Sequence, residues 1–120
     1  MGQLPRERRI TTRREIAALL RASRVRGPAL ELFRLPAAEA RARATCITPK
    51  HGRSGVERNR LRRRIKELMR EILLARGEDH DWLVRARPPA YELSFADLAS
   101  ALRALAIRLD APADTGSEEP

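Results

Sequence analysis

Between Arg58 and Arg70 the chain places seven cations, Arg58, Arg60, Arg62, Arg63, Arg64, Lys66 and Arg70, around the amide of Asn59. The guanidinium is a planar fork that meets phosphate oxygens with two hydrogen bonds at once. Such a group holds anions; it does not attack them or shuttle protons. Residues suited to bond-breaking are scarce. His51 and His80 have no Cys or second His at ligand spacing, which argues against zinc. No GxxxxGK[ST], GxGxxG or GxSxG stretch occurs. Glu78, Asp79 and Asp81 form a polar turn, and weak Mg²⁺ binding there is the lesser reading. No catalytic residue and no metal site is assigned, so the chemistry on offer is recognition of a polyanion.

The elements that position these cations follow from spacing. Ser54 with Glu57 three residues on is a capping-box pattern that opens a helix. Leu61, Ile65, Leu68, Ile72 and Leu73 recur as its apolar stripe. At about 100° per residue, Asn59, Arg63, Lys66 and Arg70 take the opposite face, flanked by Arg60 and Arg64 on one side and Arg62 on the other. Gly77 is its stop. Upstream, Thr12 and Glu15 cap a short helix reaching about Ser23, with Ile16, Leu19 and Leu20 inward. Gly27-Pro28 breaks it. Strands follow at Leu30–Leu35 and Arg41–Thr48, with a turn or a further short element at Pro36–Ala40, and Cys46 reads as a small buried hydrophobe. Trp82–Arg87 is a later strand. Ser94 caps a last helix with Phe95, Leu98, Leu102, Leu105 and Leu109 as its stripe.

The resulting order, α-β-β-(β)-α-β-α, makes a single-domain α+β sandwich. Three segments are distinguished: a basic lead-in at 1–10, a folded domain at 11–109 and an acidic tail at 110–120. A chain of 120 residues holds one modest core. With 42% hydrophobic residues but only 3% aromatic, that core is aliphatic. The formal charge of +9 is uneven: residues 1–76 carry 21 Arg and Lys against 7 Asp and Glu, while residues 77–120 carry 4 against 9. With a pI near 11.3, this is the footprint of a nucleic-acid binder. No signal peptide or long apolar span is visible, and the lone Cys46 fits a reducing, cytoplasmic setting.

From Val56 through Glu67 the sequence resembles the protein subunit of bacterial ribonuclease P, whose signature runs Arg-Asn-Arg, an apolar residue, a basic pair and a basic-Glu step. Lys50 and Gly52 also stand where that family has a Lys and a Gly. Asp81 through Pro88 resembles its Asp-apolar-apolar-Ala-Arg-Pro strand, and Ser94-Phe95-Ala96-Asp97 the start of its last helix. The resemblance covers roughly residues 6–109. It implies a ribosomal protein S5 domain 2-like fold with a left-handed β-α-β crossover. It implies further that a separate RNA subunit carries the metal-dependent active site, with Mg²⁺ entering through that RNA and no cofactor on the protein. The substrate would be precursor tRNA, cleaved of its 5′ leader, with neither DNA nor membrane as partner. By the same resemblance, Arg58, Asn59, Arg60, Arg62, Arg63 and Lys66 contact the RNA subunit, and Lys50, Arg53, Arg64 and Arg70 complete that surface. Arg13, Ile16, Leu20, Phe33, Arg43 and Arg87 are the leader-cleft positions. The family commonly carries aromatics where Ile16 and Leu20 stand, and a usual Ala is Gly55 here.

Two other readings share the composition. A ribosome-associated or assembly RNA-binding protein would look the same in charge. A DNA-binding regulator would need base-edge readers at the helix start and a dimer surface; Asn59 and Arg60 could read bases, but no apolar stripe remains for dimerisation.

Overall fold

The computed structural model describes residues 8–37 and 41–110. Of the lead-in only Arg8, Arg9 and Ile10 lie within the described residues, and of the expected tail only Asp110; the Pro36–Ala40 turn is described only at its start. In chain order the elements are α1 (Arg13–Leu20), β1 (Ser23–Arg26), β2 (Leu30–Pro36), β3 (Arg43–Ile47), α2 (Gly55–Leu68), β4 (His80–Ala86) and α3 (Phe95–Asp110). A π turn at Met69–Leu73 and a 3₁₀ turn at Leu74–Arg76 prolong α2, and a second 3₁₀ turn spans Pro88–Glu92. The fold is α+β, as the element pattern requires.

The four strands lie in the order β1-β2-β4-β3. β1 pairs antiparallel with β2 and β2 with β4, while β3 and β4 run parallel. Parallel neighbours need a crossover, and α2 supplies it. Alternation gives the sheet two unlike faces. Leu30, Leu32, Ala44, Trp82, Val84 and Ala86 look toward α2 and α3 and form the main core with Leu61, Ile65, Leu68, Leu98, Leu102 and Leu105. Phe33 and Leu83 look the other way, into a smaller cluster with Ile10 and Leu19, flanked by Ile16, Leu20, Leu35 and Ile47. The outer edge of β3 is shielded by the lead-in: Arg9 bridges to Ala44, and the Ile10 amide donates to the Ala44 carbonyl.

Three expectations change. α1 stops at Leu20, and Ser23–Arg26 is a strand. Val25 faces the core while Arg24 and Arg26 face away, a period of two that a hairpin through Gly27–Ala29 rewards with cross-strand pairing. The long helix also departs from an unbroken stripe. Its π turn inserts an extra residue per turn, so Met69, Leu73 and Leu74 are buried and Ile72 is only half-buried. The helix ends as expected at Gly77, whose φ of +75° suits glycine. Finally, Phe95 sits at the rim of α3 and is 37% exposed, while Ala99 and Ala106 join Leu98, Leu102 and Leu105 in the core.

The end of α3 is tied down by charge. Asp110 accepts hydrogen bonds from Arg34 (2.6 Å) and Arg76 (2.5 Å). Those two guanidiniums lie over the fully buried Trp82 ring, at 5.5 and 5.4 Å from its centroid. Burial alone would raise the Asp110 pKa, but the bonds from Arg34 and Arg76 outweigh it and the pKa is lowered. Asp110, the last residue of α3, therefore ties that helix to Arg34 on β2 and to Arg76 at the end of the α2 extension. The main core predicts a simple measurement. Leu68→Ala, at a site 1% exposed, should lower the free energy of unfolding by about 2–5 kcal/mol, read from chemical denaturation.

Candidate nucleic-acid interface

The arginine helix begins with a complete capping box. The Ser54 hydroxyl accepts from the Glu57 amide (3.1 Å), and the Glu57 carboxylate accepts from the Ser54 amide (3.0 Å). That bond to Ser54, with Arg53 beside it, lowers the Glu57 pKa against the opposing effect of burial. The loop before it turns at His51 and Gly52, both at positive φ. This fixes where the first helical turn, and so every outward cation, must point.

The ten residues expected on this surface divide by their partners. Arg53 is matched by Glu57 and Glu92 and lies over the Tyr91 ring at 5.0 Å. Arg70 pairs with Glu71 at 3.4 Å. Arg58 is half-buried and donates from Nε to the Thr48 carbonyl (2.8 Å), so it fastens the helix to the end of β3 while keeping its charge. Arg62 donates to the Asn59 side-chain carbonyl, which is neutral. Among the described residues, Arg60, Arg63, Arg64 and Lys66 make no ion pair. Lys50 is exposed and likewise lacks a carboxylate partner. With Arg58 and Arg62 bonded only to neutral carbonyls, seven like charges remain without a carboxylate partner on or beside one helix, five of them within residues 60–66. Like charges at i,i+3 and i,i+4 repel, and cations near a helix N-terminus oppose its dipole. A polyanion removes both costs.

Behind the smaller core, the second face of the sheet carries a different site. Ile16 and Leu20 are half-buried there, and Arg13 is exposed. Phe33 is 0% exposed, with Arg24 and Arg85 over its ring at 5.8 and 5.3 Å. The ring is thus covered in the smaller cluster at the position where the resemblance implies a leader contact. Arg43 is also occupied, bonded to Asp81 (2.9 Å) and Glu15 (2.8 Å), which raises its pKa and lowers that of Glu15. Arg87 donates to the Gly27 carbonyl at 2.7 Å and closes the β1–β2 hairpin.

What sequence reasoning missed is a trio on this face. Arg24, Arg26 and Arg85 surround the buried Glu31 at 3.7, 2.9 and 2.6 Å. Three cations share one carboxylate, so the cluster stays positive. Burial pushes the Glu31 pKa up, but hydrogen bonds from Arg85 and Arg26 bring it below its ordinary 4.5. The signal was the Arg24-Val25-Arg26 alternation, hidden because the segment read as the end of a helix. Cys46 is a packed thiol whose pKa burial lifts to about 11, against the nearby charges of Lys66 and Arg62. Among the described residues, no group of three His, Cys, Asp or Glu stands close enough to hold a metal, and no helix is long and apolar enough to cross a membrane.

A family model described as Ribonuclease P matches residues 4–110. The chain belongs to that family. It is a ribonuclease P protein subunit, and the ribosome-associated alternative is not favoured. The fold agrees with solved ribonuclease P proteins at low sequence identity. The Staphylococcus aureus RNase P protein superposes with a TM-score of 0.76 at 17% identity, covering 86% of this chain and 95% of that one. The Thermotoga maritima RNase P protein gives 0.68 at 17% identity, covering 81% of this chain and 94% of that one. In this chain Arg60, Arg63, Arg64 and Lys66 on α2 and the Arg24–Arg26–Arg85 trio lie on opposite sides of the sheet.

Two measurements follow for this subunit. Arg63→Ala with Lys66→Ala should leave the melting temperature near that of the parent and flatten the salt dependence of RNA binding by about 2 in log–log slope. Unfolding of that variant would show that these side chains do not face outward. At Glu31 the folded-state pKa is depressed, so its contribution is present above the unfolded-state value and lost as pH falls through the folded one. Stability measured downward from pH 4.5 should therefore decline, and Glu31→Gln should make that decline shallower.

Proposed function

We propose that the chain assists 5′ maturation of precursor tRNA as the protein part of a cytoplasmic ribonucleoprotein endonuclease. In this reading a catalytic RNA subunit carries the metal-dependent chemistry and Mg²⁺ enters through the RNA. The protein contributes charge and position. The observation that supports this most directly is the set Arg60, Arg63, Arg64 and Lys66, left without carboxylate partners on a helix anchored by its other face. That surface is assigned to the RNA subunit, with Arg58 and Asn59 positioning it and Lys50 beside it.

The precursor's leader is assigned to the opposite face, between α1 and the sheet. Ile16 and Leu20 line it from α1, Arg13 is exposed on the same helix, and the Arg24–Arg26–Arg85 trio supplies charge. Base stacking on an aromatic is worth about 1–3 kcal/mol per base, and among the described residues this face has no accessible ring, Phe33 being covered. Leader binding here accordingly depends on phosphate contacts and apolar surface. Cations on both faces lower the repulsion between two RNAs, which permits their close approach at low metal concentration.

Reconstitution with the cognate RNA subunit tests the assignment. At low Mg²⁺ the protein should accelerate cleavage of precursor tRNA with its leader, and the gain should shrink as Mg²⁺ rises. Cleavage that is the same with and without protein at every Mg²⁺ concentration would refute it. Co-purification with ribosomal particles in place of one structured non-ribosomal RNA would support the assembly-factor reading instead.

A further inference from the structure

On the flank of α2 that turns toward the start of α3, Arg60, Arg63, Arg64 and Glu67 stand at i, i+3, i+4 and i+7. With Phe95 they enclose an open groove of about 380 Å³. A smaller notch of about 70 Å³ continues it, sharing Arg60 and Arg64 and walled by Tyr91 and Ala90. Phe95 is one of three large hydrophobic residues left exposed among those described, the others being Val56 and Ile107. Of the three it alone lines this groove, among guanidiniums that have no carboxylate partner. Its backbone is held by the cap of α3, where the Ser94 hydroxyl accepts from the Asp97 amide at 3.0 Å.

The composition of the groove favours one kind of occupant. Phosphate alone would use the three arginines and gain nothing from a phenyl ring. It would also be repelled by Glu67, an acceptor-only group. An unpaired nucleobase satisfies all of these groups: its face stacks on the ring, its exocyclic amine donates to a carboxylate, and its flanking phosphates meet guanidiniums. Duplex RNA, with its bases stacked inward, could not enter. We propose that this groove captures a single unpaired base of the RNA subunit, stacked on Phe95, with Arg60 and Arg64 holding the adjoining phosphates. The inference rests on the assignment of α2 to the RNA subunit and adds a base-reading element to a surface otherwise made of phosphate contacts.

The test compares Phe95→Leu, which keeps apolar bulk but loses the aromatic face, with Phe95→Tyr, which keeps the ring. Binding of each full-length variant to the cognate RNA subunit is measured across a salt series, alongside its melting temperature. Phe95→Leu should weaken binding by about 5- to 150-fold without changing the salt slope, because stacking releases no counterions. Phe95→Tyr should bind like the parent, and both should melt close to it. Parent-like binding by Phe95→Leu overturns the proposal, as does equal weakening in the Tyr variant, or a loss of affinity that tracks a fall in melting temperature. The Arg63→Ala, Lys66→Ala variant separates the two assignments. If it loses affinity while the Phe95 variants do not, only the base groove fails. If it too binds normally, the assignment of α2 to RNA fails with it.

Discussion

The arrangement depends on one helix bearing opposite demands on its two sides. Leu61, Ile65 and Leu68 are buried in the cluster that includes Ala44, Trp82 and Val84, and Met69, Leu73 and Leu74 continue that contact through the π turn. Each buried aliphatic side chain contributes on the order of 1.5–3 kcal/mol. Repulsion between neighbouring cations on the outer side costs a few tenths of a kcal/mol per pair. Burial wins by an order of magnitude. The sheet can therefore hold a helix whose outer side, considered alone, would oppose its formation. The same disparity makes the surface available: because the helix does not need its arginines to be neutralised, they remain free for a polyanion.

The chain's other arginines show the alternative fate. Arg34 and Arg76 close on Asp110 above Trp82 and fix the end of α3 to the sheet. Arg43 joins α1 to β3 and β4 through Glu15 and Asp81. Arg87 and Arg58 each donate to a backbone carbonyl at an element boundary. These side chains act as ties, their apolar stems packed and their heads satisfied. A residue type that composition alone would assign wholly to nucleic acid is thus divided between holding the fold and meeting a partner. The division follows the acids that form ion pairs, which lie on strands, in turns and at helix ends, whereas Glu67 on α2 forms none.

The two basic surfaces also differ in kind. On α2 the cations are uncompensated, and the groove beside them contains an exposed ring. On the far face the trio around Glu31 is partly compensated: the buried carboxylate accepts hydrogen bonds from Arg26 and Arg85, and Arg24 stands 3.7 Å away. The proposed roles differ accordingly: a folded RNA for the first, a flexible strand for the second. One small sheet can serve both because its faces alternate residue by residue along every strand.

The N-caps at Ser54, Thr12 and Ser94 and the apolar spacing of α2 and α3 were legible from sequence, since both signals are local and repeat within a few residues. So were the packed position of Cys46 and the outward set Asn59, Arg60 and Arg63. β1 was not legible: four residues carry too little periodicity to outweigh a preceding helix, and pairing with β2 decided it. Nor was the fate of individual side chains. Phe33 became a covered floor, Arg43 and Arg53 were taken by carboxylates from distant elements, and Arg24, Arg26 and Arg85 met across strands far apart in the chain. Local pattern determines which backbone segments are helical or extended and which of their sides is apolar. Which charges cancel depends on distances between residues remote in sequence, and only tertiary packing sets those.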